Sequence, residues 1–141
     1  MTIRKSITVA KAPAVAFRKF TDGIGEWWPI KEGFSFGGDL TRGIFLESKV
    51  GGRFYERFSD GGEFEIGRVI RCDPPNVIAF TWKAPEWEGV TEVEVRFVAE
   101  GAATRVELEH RGWEAGAKMR KERKGYDDGW DFVLEHYARA K

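Results

Sequence analysis

The stretch VTEVEVRFVAEGAATRVELEH, residues 90–110, contains the pattern that decides the fold. Apolar and charged residues alternate in it, and the alternation resumes after a turn around Gly101. The apolar positions are Val93, Val95, Phe97, Val106 and Leu108. A period of two is typical of a strand with one buried face and one wet face. We therefore predict strands at Val90–Ala99 and Ala103–His110 whose apolar face is covered by another element.

The same period of two recurs upstream. It predicts strands at Ile3–Val9, Ile44–Val50, Arg53–Phe58, Glu63 to about Cys72, and Val77–Trp82. Gly51 and Gly52 favour a two-residue hairpin, because glycine adopts a positive φ without strain. Connections this short leave no room for crossovers, so we expect one antiparallel meander of about seven strands.

Helical periodicity marks the element that covers the sheet. Near the C-terminus, apolar residues recur at three- and four-residue spacing and form one stripe: Tyr126, Trp130, Val133, Leu134 and Tyr137. Pro13 fits the first turn of a short helix that ends near Phe20. A second short helix, from Ile24, stops before Pro29, and residues 31–43 are predicted to be a loop. The fold class is α+β, with a long C-terminal helix across a concave sheet.

Composition excludes several classes of protein. The 141 residues fit one domain, residues 1–141. Their 23 basic and 23 acidic side chains cancel, which argues against a nucleic-acid binder. No apolar run reaches the roughly 20 residues that span a bilayer, and no signal-peptide pattern follows Met1. We expect a soluble, cytoplasmic protein without membrane insertion. The single cysteine, Cys72, is expected to be a small apolar filler.

Several local motifs occur in one order along the whole chain. They are Ala14–Phe20 before Glu26-Trp27-Trp28-Pro29, Val50–Phe54, Gly67–Ile70 before Asp73-Pro74-Pro75, Ile78–Trp82, Ala103–Val106 before His110-Arg111-Gly112, and Gly129-Trp130. With the element order, they resemble the START-like (SRPBCC) superfamily and its helix-grip arrangement. Within that superfamily they look like the subfamily related to the activator of heat-shock protein 90 ATPase.

The resemblance implies a cavity between the long helix and the sheet that binds an apolar or amphipathic small molecule. Relatives of this fold include aromatase/cyclases, so an enzyme of cyclase or hydrolase type is an alternative. A chaperone-ATPase-activating interaction module is a less favoured alternative, because such a cochaperone carries an additional N-terminal domain that we expect to be absent here. The family has no universal catalytic motif, so no catalytic residue and no cofactor is carried over.

Aromatic residues make up 14% of the chain and are the strongest candidates for a binding site. They come from the expected cavity mouth, the strands and the covering helix: Trp27, Trp28, Phe34, Phe36, Phe54, Phe80, Trp82, Phe97, Trp130 and Tyr137. Large planar side chains either line a pocket for an apolar ligand or fill the interior as core. The sequence leaves both readings open.

Three ionisable residues share parity with apolar strand positions: Glu56, Arg68 and His110. If these positions face inward, Glu56 and Arg68 are expected to pair with each other or with a polar group of the ligand, because buried charges are costly unless paired. The alternatives are a strand-end or water-facing placement, or a purely structural ion pair. A β-bulge would reverse the parity.

The remaining chemistry-bearing residues give weak indications. His110 and His136 are the two histidines, too few for a convergent metal site. The basic run from Lys118 to Lys124 is predicted to be a solvated helix start without interleaved aromatic residues, which disfavours nucleic-acid recognition. Phe132 falls off the apolar stripe, where it is either an ordinary exposed residue or part of a homodimer contact.

Overall fold

Seven antiparallel strands form one curled sheet in the computed structural model of the protein, which describes residues 1–140. The strands are β1 (Ile3–Val9), β2 (Thr41–Leu46), β3 (Arg53–Phe58), β4 (Glu63–Asp73), β5 (Val77–Trp82), β6 (Thr91–Glu100) and β7 (Ala103–Arg111). Their order is β1-β7-β6-β5-β4-β3-β2, so β2 to β7 form a meander and β1 closes onto the last strand. The predicted fold class is confirmed.

Three α-helices accompany the sheet: α1 (Pro13–Phe20), α2 (Ile24–Trp27) and α3 (Ala117–Arg139). Pro13 occupies the first turn of α1, where no intrahelical amide donor is required. The predicted apolar stripe of α3 packs against the sheet, with Tyr126 half-buried and its other members buried. Short 3₁₀ turns at 30–32 and 38–40 interrupt the segment predicted as a loop. None of the helices within residues 1–140 is long and apolar enough to cross a membrane.

The connection between β2 and β3 differs from the prediction. β2 begins at Thr41 and ends at Leu46, so residues 47–52 form a longer connection instead of a two-residue hairpin. The backbone N–H of Gly51 donates to Val69 of β4, and Val69 donates in turn to the carbonyl of Gly52. The two glycines therefore pair with β4 instead of turning β2 directly into β3.

Bulges in β4 determine which face of the sheet the Arg68 side chain lies on. The register shifts on both sides of this strand, against β3 and against β5. Gly67 lies at the first irregularity, where a Cβ atom would collide with the carbonyl of Thr81. Beyond it the alternation reverses: Val69 is buried, whereas the Arg68 side chain is 54% exposed. Of the two directions that the sequence left open for Arg68, the structure shows the water-facing one.

Candidate functional site

Half of the predicted aromatic site residues fill the core. Trp27, Phe54, Phe80, Phe97 and Tyr137 are buried. They pack edge-on or tilted against neighbouring rings at centroid distances such as 5.0 Å for Trp27–Tyr137 and 5.1 Å for Phe54–Phe80. Such ring pairs are typical of a well-packed aromatic interior. The space beneath the C-terminal half of α3 is therefore occupied by the protein's own side chains.

His110 is also buried in the interior, and both of its ring nitrogens form hydrogen bonds. Trp130 Nε1 donates to His110 Nδ1 at 3.0 Å, so the proton of the neutral ring belongs on Nε2. Nε2 lies 2.7 Å from Thr91 Oγ1, which donates onward to the carbonyl of Trp82 at 2.8 Å. One chain of hydrogen bonds thus joins α3, β7, β6 and β5.

Burial keeps this imidazole neutral. His110 is 0% exposed, and desolvation lowers its pKa to about 3. With both ring nitrogens engaged and no contact with a cavity, His110 is not placed to exchange protons with a bound molecule. It connects the helix to the sheet.

A cleft open to solvent lies beside the N-terminal half of α3. Its volume is about 440 Å³, within the range of about 300–1,000 Å³ common for ligand sites. Its lining is mostly aromatic or apolar: Trp28, Phe34, Trp82, Gly125, Tyr126, Gly129, Trp130 and Val133, with Lys121 and Glu122 as its charged members. We call this space the outer cavity.

Two glycines on one face of α3 contribute to this space. Gly125 and Gly129 are four residues apart, so they lie one above the other on the helix. A Cβ atom at Gly125 would meet no atom within 4 Å, and one at Gly129 would just touch the ring of Phe34 at 3.4 Å. Larger side chains at either position would occupy the outer cavity.

A second space of about 190 Å³ adjoins the outer cavity. Both spaces share Trp28, Phe34, Trp82 and Tyr126 as walls. The second space adds Gly33, Ser35, Phe36, Ile44, Glu56 and Ile66. We call it the inner chamber.

Glu56 is the one carboxylate of the inner chamber and is 1% exposed. Its Oε1 accepts hydrogen bonds from the backbone N–H of Phe36 and Gly37 and from Thr41 Oγ1, each at 3.1 Å. Among the donors of the described residues, Oε2 accepts only from the same Phe36 N–H, at 2.8 Å. The predicted Glu56–Arg68 pair is absent because Arg68 instead pairs with Glu65 on the exposed face, at 2.8 Å. Glu56 thus holds the 36–41 segment through uncharged donors.

Two hydroxyl groups complete the polar part of the inner chamber. Ser35 Oγ is buried and has no hydrogen-bond partner within residues 1–140. Tyr126 OH accepts a hydrogen bond from Trp82 Nε1 at 3.1 Å, which leaves its own proton free to donate. Burial, together with the charges of Glu122 and Glu56, raises the pKa of Tyr126 to about 12, so this hydroxyl stays protonated near neutral pH.

The structure therefore divides the predicted site residues into three groups. The predicted residues that line the two spaces are Trp28, Phe34, Phe36, Glu56, Trp82 and Trp130. Trp27, Phe54, Phe80, Phe97, His110 and Tyr137 belong to the core. Arg68 lies outside. Sequence reasoning assigned Tyr126 to packing and did not identify Ser35, Gly125 or Val133 as lining residues.

The weaker candidates lie at the surface or its margin. Phe132 lies outside the apolar stripe, 39% exposed, and stacks on Phe34 with ring centroids 5.0 Å apart. Cys72 is half-buried with its Sγ 3.3 Å from the carbonyl of Ser48, and burial raises the pKa of its thiol. Lys118 pairs with Glu86 at the start of α3. Within residues 1–140, no three histidine, cysteine or acidic side chains converge as a metal site would require.

A curled antiparallel sheet gripped by a long C-terminal helix, with a cleft between them, is the architecture of the START-like (SRPBCC) superfamily. The sequence model of one of its families, described as activator of Hsp90 ATPase homolog 1-like protein, matches residues 12–139. Because the match covers most of the chain, this protein belongs to that family, as the motifs predicted.

Solved structures with this fold include proteins of different activity. A Mesorhizobium loti protein, MLL2253, has a TM-score of 0.73 and 18% identity over 99% of this chain and 95% of its own. An anthrahydroquino-γ-pyrone synthase is 37% identical over 77% of this chain and 75% of its own, with a TM-score of 0.56. An Hsp90 activator from Plasmodium falciparum is 21% identical over 89% and 87% of the two chains, with a TM-score of 0.56. The first and third likenesses show the fold alone.

Part of the chain also matches a much longer curated protein. Over 78 residues, 55% of this chain, it is 32% identical to the ephrin type-A receptor 8 of Mus musculus. The match spans only 7% of that receptor. The match is therefore too short to relate the receptor's activity to this chain.

Proposed function

We propose that the protein binds an amphipathic small molecule whose apolar body occupies the outer cavity. The observation that carries the proposal is the convergence of Trp28, Trp82 and Trp130 on a solvent-open cleft, while the neighbouring interior is filled. An apolar body that leaves water for such walls gains about 25 cal/mol for each Å² buried. Affinity then comes from burial, and the few polar groups set orientation.

Gly125 offers a direct test. Gly125→Leu places a branched side chain in open space, and Gly125→Ala adds a single methyl group at the same place. Both substitutions are expected to raise the free energy of unfolding by about 0.5–1 kcal/mol, because glycine is a poor helix former. Only the leucine variant is expected to lose ligand.

The measurement is native mass spectrometry of each freshly purified variant, followed by extraction and identification of any retained small molecule. Intrinsic tryptophan fluorescence gives a second readout, since three indole rings line the cleft. Equal retention of ligand by the leucine and alanine variants would contradict the proposal. Urea unfolding of both variants controls for loss of structure.

A catalytic role of cyclase type is the second candidate. Its support is the 37% identity to the pyrone synthase and the presence of Glu56 and Tyr126 in the inner chamber. Because His110 is enclosed in the core, the acid–base groups that line the two spaces are Glu56 and Tyr126 in the inner chamber and Lys121 and Glu122 in the outer cavity. Chemical conversion of a bound aromatic compound that is abolished by both Glu56→Gln and Tyr126→Phe would favour this role.

The other expectations stay predictions. A chaperone-activating role needs an exposed docking surface, and co-purification with a chaperone would support it over the cavity. A homodimer through Phe132 is tested by sedimentation at several concentrations. Cytoplasmic location and the absence of a nucleic-acid partner likewise await direct experiments.

A further inference from the structure

The walls of the inner chamber have an unusual combination of chemistry. Aromatic rings from three parts of the chain surround it: Trp28, Phe34, Phe36, Trp82 and Tyr126. One carboxylate, that of Glu56, completes the lining, and no lysine or arginine lines it. Aromatic rings offer a negative face, and a carboxylate offers a negative charge.

The Glu56 carboxylate has no cationic partner among the described residues. Its hydrogen bonds come from two backbone N–H groups and one hydroxyl, all of them uncharged. A buried carboxylate is ordinarily paired with a cation or coordinates one, because neutral donors compensate only part of its lost hydration. Oε2, with a single donor, retains capacity for a further interaction.

Rings grouped around a buried negative charge form an environment that stabilises an organic cation. A quaternary or methylated ammonium attracts the faces of tryptophan and tyrosine rings and loses less hydration energy than a small ion. A neutral head group would gain only the hydrogen-bonding part of this environment. Ser35 Oγ can in addition accept a hydrogen bond from a methylated ammonium that keeps an N–H, whereas a quaternary ammonium has no proton to donate.

We propose that the inner chamber binds the organic-cation head of the ligand, a quaternary or methylated ammonium, while the ligand's apolar body lies in the outer cavity. This inference rests on the proposed function and adds the chemical class of the ligand. Glu56 supplies the charge, and the surrounding rings supply the cation–π attraction. The two spaces share four lining residues, so they lie next to each other, and the proposal requires that a single molecule reach from one into the other.

The test compares two probes of nearly the same shape. Naphthylmethyl-trimethylammonium carries the cation, and neopentylnaphthalene is its uncharged isostere, in which carbon replaces the nitrogen. Isothermal titration calorimetry of the full chain at neutral pH is expected to show that the cation binds about tenfold more tightly than the isostere. Equal or weaker binding of the cation would overturn the inference.

Glu56→Gln is expected to reduce the ratio of the two affinities to about one. The matched control is Glu65→Gln, which removes the same charge from an exposed carboxylate on β4 and is expected to keep the wild-type ratio. Phe36→Leu retains the carboxylate and an apolar side chain but removes one ring. It is expected to lower the ratio of the two affinities several-fold. This second variant tests the inference even if Glu56→Gln disturbs the 36–41 segment.

The outcomes separate this inference from the proposed function. If both probes bind equally and Gly125→Leu blocks both, the cavity binds ligands but does not select cations. If the cation is preferred in Glu56→Gln and in Phe36→Leu as strongly as in the wild type, the inner chamber is not its site. If neither probe binds, both proposals fail for ligands of this shape.

Discussion

The two halves of α3 face different surroundings. The C-terminal half, with Leu134 and Tyr137, presses on a filled aromatic core. The N-terminal half, with Gly125, Tyr126 and Gly129, borders the outer cavity. Val133 and Trp130 lie at the boundary, where they are buried and also line the cleft. One helix therefore packs on a filled core at one end and borders an open space at the other.

The side chains explain this division. At its C-terminal half α3 carries large rings, and Tyr137 OH donates to the carbonyl of Ala16 at 2.7 Å, which ties it to α1. At its N-terminal half it carries glycines, which leave the space between helix and sheet open. Large side chains fill that space on the C-terminal side of Trp130. On its N-terminal side the glycines leave the space open.

The largest expected effect is a loss of stability when the packing of the C-terminal half of α3 is disrupted. Tyr137→Ala removes a fully buried ring together with its hydrogen bond, and we expect the free energy of unfolding to fall by about 3–5 kcal/mol. The measurement is urea unfolding followed by circular dichroism. Phe132→Ala, on the same helix but at the surface, is the control and should cost about 1 kcal/mol or less. Similar losses for the two variants would contradict the comparison.

An intermediate effect concerns pH. The folded-state pKa of His110, about 3, lies below its ordinary value of 6.5, so the folded protein binds fewer protons than the unfolded chain between these limits. The contribution of neutral His110 to the free energy of unfolding is therefore fully present above pH 6.5 and is lost as the pH falls toward about 3. Each pH unit within that window lowers the free energy of unfolding by up to about 1.4 kcal/mol.

Urea unfolding at a series of pH values measures this slope. The control is His110→Gln, which removes the titrating group and is expected to flatten the slope in that window while lowering stability at every pH. A slope equal to that of the wild type in this variant would show that another group is responsible.

The smallest expected effect lies outside both halves. Arg68→Met removes a charge that pairs with Glu65 on the exposed face of the sheet. Neither the unfolding midpoint nor the affinity for an acidic or cationic probe is expected to change, because surface ion pairs contribute little. A weakened probe affinity in this variant would indicate that Arg68 contributes to ligand binding.

The sequence predicted the fold well because alternation and helical periodicity are local patterns that burial enforces. Residues 90–110 and the stripe on α3 form the elements that their periods indicate. The direction of Arg68 could not be predicted, because it depends on where β4 bulges, and the bulge at Gly67 is set by close contact with Thr81 on another strand.

The candidate site was predictable only in part. Bulky rings are needed both in a core and in a pocket, so Trp82 at the cleft and Phe80 in the core give the same sequence pattern. What separates them is the absence of side chains at Gly125, a property of space in three dimensions. Ser35, within an irregular segment, carries no periodic pattern that would indicate its burial.

The glycines of α3 have a consequence for how such a protein can diversify. Gly125 and Gly129 line the outer cavity, and a Cβ atom added at either position would meet no atom of the strands within 4 Å. A single substitution at either position would therefore change the volume of the outer cavity without a compensating change in the scaffold. The size of this space is adjustable one residue at a time, whereas the aromatic interior must change in concert.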